Sequence, residues 1–219
     1  MEGYEHLVKV SLEAEGLIVS SNLKFPVTKK TRKSGGEKQT HGYEVDLVGA
    51  RRDLLVLASV KSFFGSTGVR REGFQRLVKI TNPTPRQQRH FNLYKLFNDK
   101  KVREGVIAGA AERFGYSPSR VELRLYAGKF QNEAAKNDIT AFLAQIQAGK
   151  GPVKVFGLAE TLAKLLTVLE SKTYFNDPVI MTLKAFTERL RQVKGKNGKK
   201  INMKKAVNEL HEILNLQKQ

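Results

Sequence analysis

The run Leu54–Lys61, LLVLASVK, constrains the fold more than any other stretch of this sequence. It is apolar or small throughout until it ends on a lysine. A strand that apolar is covered on both faces, so it belongs inside a sheet with layers packed above and below. Just upstream, residues 43–49 (YEVDLVG) alternate like a strand, and Arg51-Arg52-Asp53 reads as a turn. The two runs therefore predict a hairpin. Side chains alternate along a strand. Glu44, Asp46 and Val48 are expected on one face, with Tyr43, Val45 and Leu47 on the other. On the second strand Leu55, Leu57, Ser59 and Lys61 share a face. Pairing then brings Asp46, Ser59 and Lys61 together at one end of the sheet. Asp is depleted in strands, and an ammonium closing a core run needs an anion or water beside it.

The remaining pattern places this hairpin in an α/β protein with a mixed sheet. A helix is expected over 3–15, stopped by Gly16, and an extended segment over 17–27. Residues 28–42 read as a polar, basic loop. A Gly-rich connection follows the hairpin, and NPTP at 82–85 opens a helix over 85–98, with Phe91, Tyr94, Leu96 and Phe97 as core positions. A helix over 100–114, a strand over 120–127, a helix over 131–148 and a short strand over 152–157 come next. Helices are expected over 158–171, 178–193 and 202–217, with the basic linker KGKNGKK between the last two. This divides the chain into an α/β core, 1–150, and a mainly helical, basic C-terminal region, 151–219.

Composition narrows the function. The 219 residues hold no cysteine, which excludes disulfides, thiolate metal sites and a cysteine nucleophile. No apolar run is long enough to span a membrane, and the N-terminus lacks the apolar segment of a signal peptide. A soluble, cytoplasmic protein is expected, in a bacterial or phage-infected cell or on a nucleoid. Lys and Arg number 39 against 21 Asp and Glu, a formal charge of +18, so the expected partner is a polyanion, nucleic acid before an anionic membrane surface. The charge is uneven. Residues 1–60 carry nine basic and eight acidic groups, whereas residues 61–100 carry nine and two. A basic protein with its acidic groups concentrated in the N-terminal quarter matches what metal-assisted phosphodiester chemistry needs. An N-terminal helix rich in Glu for local reasons is the plainer reading. Three basic elements are candidate phosphate contacts: Lys29, Lys30, Arg32 and Lys33; then Arg70, Arg71, Arg76 and Lys79; then the tail lysines 194, 196, 199, 200, 204 and 205.

Gly42-Tyr43-Glu44-Val45-Asp46-Leu47-Val48, followed by Ser59-Val60-Lys61-Ser62, resembles the catalytic hairpin of the PD-(D/E)xK nuclease superfamily. It is similar in particular to small Holliday-junction-resolvase-like members. The resemblance extends upstream to Glu5 near the start of the first helix and covers about residues 3–75. It implies a restriction-endonuclease-like sheet flanked by helices, a DNA substrate, Mg²⁺ or Mn²⁺ as cofactor, and in many relatives a homodimer. By that match Asp46 is the central metal ligand, Glu5 reaches toward the metal, the Val60 carbonyl is a further ligand, and Lys61 orients or activates the attacking water. Glu44 supplies negative charge from the neighbouring strand. The departure is Ser59, where the family usually carries Glu or Asp; losing a carboxylate weakens binding of a hard cation. Three expectations therefore stand: a metal-dependent DNA endonuclease, a DNA-binding protein on the same fold that no longer cuts, and a protein-interaction factor docking through its basic C-terminal helices.

Overall fold

A computed structural model describes residues 3–30, 38–170 and 177–192. The expected tail helix over 202–217, the tail lysines, and Arg32 and Lys33 lie outside the described residues. The element order is α1 (Gly3–Ala14), β1 (Ile18–Lys30), β2 (Lys38–Arg51), β3 (Leu54–Lys61), α2 (Pro85–Asn92), α3 (Lys95–Asn98), α4 (Lys100–Phe114), β4 (Val121–Ala127), α5 (Glu133–Ala144), β5 (Gln147–Ala148), β6 (Gly151–Pro152), β7 (Lys154–Gly157), α6 (Leu158–Glu170) and α7 (Pro178–Gln192). The main sheet runs β1-β2-β3-β4-β7. Its β1–β2 and β2–β3 pairs are antiparallel, and β3–β4 and β4–β7 are parallel. This is the α/β class with a mixed, helix-flanked sheet. The sheet runs past residue 150, because β7 is its fifth strand. Among the described residues no helix is long and apolar enough to cross a membrane.

The apolar β3 run is covered on both faces, as its composition requires. Leu55 and Leu57 enter one core with Phe74, Tyr94, Phe97, Val106 and Ile139, from the α2–α5 side. Leu54, Val56 and Ala58 enter the other with Tyr4, Val8 and Leu12 of α1. Each fully buried leucine contributes about 1.5–3 kcal/mol through removal of its surface from water. Gly16 ends α1 with a positive φ of 79°, which a side chain tolerates poorly. Behind α1, Val10 packs with Leu165 of α6 and Ile180 of α7. Gly105 of α4 lies so close to Val27 that an added Cβ would sit 3.2 Å from it, so α4 rests tightly on β1.

Four expectations are corrected. The segment 28–42 is not all loop: β1 runs to Lys30 and β2 starts at Lys38, with Thr28 paired to Thr40 and their hydroxyls 2.8 Å apart. Backbone pairing extends a two-stranded ribbon without any apolar core, which is why periodicity missed it. Val45 and Leu47 do not share a face: Val45 joins the α2–α5 core and Leu47 the α1 core. The alternation slips at Asn22, whose φ is +56°, opposite Asp46, where direct pairing lapses. The helix over 85–98 is broken at Leu93-Tyr94 into α2 and α3. There the Asn98 side chain donates to Gly73 O (2.8 Å) and Phe91 O (3.0 Å) and accepts from Gln75 N (3.1 Å), so a side chain does the work of helical bonds. Finally, α5 stops at Ala144 instead of running to 148, because the chain turns into the small β5–β6 ribbon.

Candidate active site

The hairpin ladder between β2 and β3 ends at the pair Leu47–Ala58. One residue further along β2, Asp46 replaces backbone with side chain. Its Oδ2 accepts the Val60 backbone N–H at 2.6 Å, the Ser59 hydroxyl at 3.2 Å and the Lys61 ammonium at 3.2 Å. Three successive residues of β3 thus converge on one carboxylate oxygen. Ser59 is buried, whereas Lys61 and Asp46 keep 18% and 29% of their side-chain surface, so the pair is reachable from solvent. Charge-assisted bonds of this kind are the strong ones. Val60 enters the cluster through its N–H; its carbonyl was the group the resemblance assigned.

Glu5 occupies the sheet-facing side of α1, one turn before Val8 and two before Leu12, both buried against the sheet. Its Oε1 is buried without a hydrogen-bond partner. A carboxylate oxygen left so costs free energy unless something positive reaches it. Glu44 is placed differently: its carboxylate sits 3.7 Å from Lys24 on the exposed ribbon. Tyr43 was not expected at the site. Burial pushes its phenol up to about 12, opposed by a hydrogen bond with the Leu96 backbone and reinforced by the negative charge of Asp46. It therefore joins the start of α3 to the Asp46 strand.

Of the basic candidates, Lys29 and Lys30 end β1 in register with Gln39 and Lys38 of the ribbon. Arg76 and Lys79 are exposed beyond the β3 connection, and Arg71 is tied to Asp138 at 2.8 Å. Arg70 is half-buried near His90, whose pKa is lowered by burial first and then by the Arg70 charge. The connection itself is well bonded. Gly128 N donates to Lys61 O (2.8 Å), Val69 N to Lys129 O (2.9 Å), and Lys129 Nζ to Ser66 O (2.9 Å). The loops after β3 and β4 therefore form one surface at the carboxyl ends of two parallel strands, where ligands of such sheets bind.

A second polar cluster went unread in the sequence. Glu122 and Arg124 of β4 are buried on the α1 side. Arg124 Nη1 donates to both oxygens of Glu15 at 2.9 Å, its Nε to Glu122 at 2.6 Å, and Lys164 and Lys154 close the set on Glu15 (2.5 Å) and Glu122 (2.6 Å). The signal was present in the strand VELRLYA, whose alternate charged residues had to be buried if both faces of the sheet were covered.

The candidate cation ligands are two carboxylates, Asp46 at the strand end and Glu5 on the sheet-facing side of α1. Among the described residues no group of three or more His, Asp or Glu gathers into a metal-binding set. Mg²⁺ needs no such set, because it keeps several waters and is often held by one or two carboxylates. The buried, unpartnered Glu5 oxygen is an anionic ligand of the kind such a cation takes, so the donor chemistry fits. No protein-family model matches the chain, and no curated protein matches it.

Proposed function

We propose that the chain is a divalent-metal-dependent nuclease that hydrolyses phosphodiester bonds, with DNA as its substrate, in the manner of the PD-(D/E)xK hairpin it resembles. The observation that carries this reading is the convergence of Ser59, Val60 and Lys61 on Asp46 at a solvent-reachable strand end. Asp46 and Glu5 would hold Mg²⁺ or Mn²⁺, which supplies Lewis acidity and a bound water of lowered pKa. The other roles belong to the chain. Lys61, fixed by Asp46, donates to a phosphate oxygen and offsets the charge that grows as the bond breaks. Ser59 and the Val60 N–H hold the Asp46 carboxylate in one orientation. Arg70, Arg76, Lys79 and the ribbon lysines hold the backbone by charge, without reading bases.

The test is cleavage of supercoiled and linear DNA with Mg²⁺ or Mn²⁺. Asp46→Ala and Lys61→Ala are each expected to lose about 100-fold or more in rate, and EDTA to abolish cleavage. Unchanged rates in both variants would overturn the site. A second reading, DNA binding without cleavage, is favoured by Ser59, which adds a hydroxyl where a carboxylate would add charge. Calorimetric titration with Mn²⁺ separates the two: DNA binding with no metal heat and no cleavage selects the second.

A further inference from the structure

Three residues beyond Lys61 the chain carries Phe64, an aromatic side chain 52% exposed to solvent. Its setting is built. Phe63 before it has a φ of +46°, an uncommon conformation for a bulky residue. That turn sends Phe63 into the α2–α5 core and leaves Phe64 at the surface. The Phe64 ring meets Tyr4 edge-on with centroids 5.5 Å apart, and it lies over Gly128, where a Cβ would come within 2.8 Å of the ring. Ser66 then closes the loop, its N–H and hydroxyl both donating to Phe63 O (3.2 and 3.0 Å) and its hydroxyl accepting from Gly68 N (3.2 Å). The ring is therefore held in place and open to water. Backbone strain of this kind clusters at functional sites and ligand clamps.

Its neighbours indicate the ligand. Lys129 is bonded to this same loop, Lys61 precedes it, and Arg70 follows it. A fixed aromatic face among cations is how proteins hold unpaired nucleotides, with bases stacked on the ring and phosphates on the cations. Three residues of chain reach at most about 10 Å, so the ring stands beside the phosphate that Lys61 would hold. Tyr4 is also the residue before Glu5, so the same contact joins the Lys61 loop to the helix start. Resting on the nuclease reading, we infer that Phe64 stacks on an unpaired nucleobase adjacent to the bound phosphate, and that the substrate is single-stranded or locally unpaired nucleic acid.

The experiment is fluorescence anisotropy in EDTA with the full chain, using labelled oligothymidylate, its duplex with oligoadenylate, and a forked duplex. Phe64→Ala is expected to weaken binding to the single strand and the fork by about tenfold, with the duplex affected far less. Phe64→Tyr should restore binding, while Phe64→Leu, apolar but without a π face, should not. Thermal melts of each variant report folding. Single-strand affinity unchanged in Phe64→Ala overturns the inference but leaves the nuclease reading standing. So does an equal loss on single strand and duplex. A change of sedimenting mass in Phe64→Ala would assign the ring to contact with a second copy and also overturn it. If the wild-type chain shows no salt-sensitive affinity for any of the three probes, both readings fall.

Discussion

Two polar clusters sit on one sheet and differ in a single respect. In the Glu15–Arg124–Glu122 cluster every carboxylate oxygen has a cation: Arg124 bridges both acids, and Lys164 and Lys154 complete them. The ring of Phe156 stacks on Tyr126 at 4.9 Å and lies under Lys164 at 4.1 Å. At Asp46 three donors crowd one oxygen, and on α1 the Glu5 oxygen is buried with none. Charges that satisfy one another act as a clamp, here joining α1, β4, β7 and α6. A buried carboxylate oxygen left without a partner carries a cost that a bound cation would relieve. Composition does not separate the two, since both are acids beside bases. The count of partners per oxygen does.

The comparison breaks if the two clusters respond alike to the loss of a charge. Arg124→Met removes the guanidinium from buried Glu122 and half-buried Glu15 and should cost about 3–5 kcal/mol in urea denaturation. Asp46→Asn should cost only about 1–2 kcal/mol while removing cleavage. Equal losses of stability would make Asp46 a structural residue. Acid sharpens the contrast. Burial alone would raise the pKa values of Glu15 and Glu122, but hydrogen bonds and charge from Lys164, Lys154 and Arg124 outweigh it and bring both below the ordinary 4.5. A depressed carboxylate contributes stability that is present above 4.5 and lost as pH falls through the folded-state value. Urea midpoints should therefore drop on acidification, and Glu122→Gln should make that drop shallower. The smallest effect is expected at Glu44, where Glu44→Gln breaks only an exposed pair with Lys24 and should shift stability by less than about 0.5 kcal/mol.

Local pattern made the first helix, the hairpin and the meeting of Asp46, Ser59 and Lys61 legible, because each depends on spacing within a short stretch. It failed where geometry departs from its period. Val45 and Leu47 are two residues apart yet enter opposite cores, and only the slip at Asn22 explains it. It also failed where the partner is remote. Arg124 is visible in the sequence, but Glu15 lies 109 positions away, and nothing local names it. Phe64 lies in a stretch whose sequence reads only as a Gly-rich connection, and its place at the surface follows from the turn at Phe63.

Asp46 takes a hydroxyl, a backbone N–H and an ammonium from residues 59, 60 and 61 in turn. Such a set tests strand alignment. If β3 slid by one residue against β2, every side chain would change faces, and the apolar Val60 side chain would replace Ser59 or Lys61. In this chain a misaligned hairpin does not gather these donors, so correct strand alignment and assembly of the cluster are a single event.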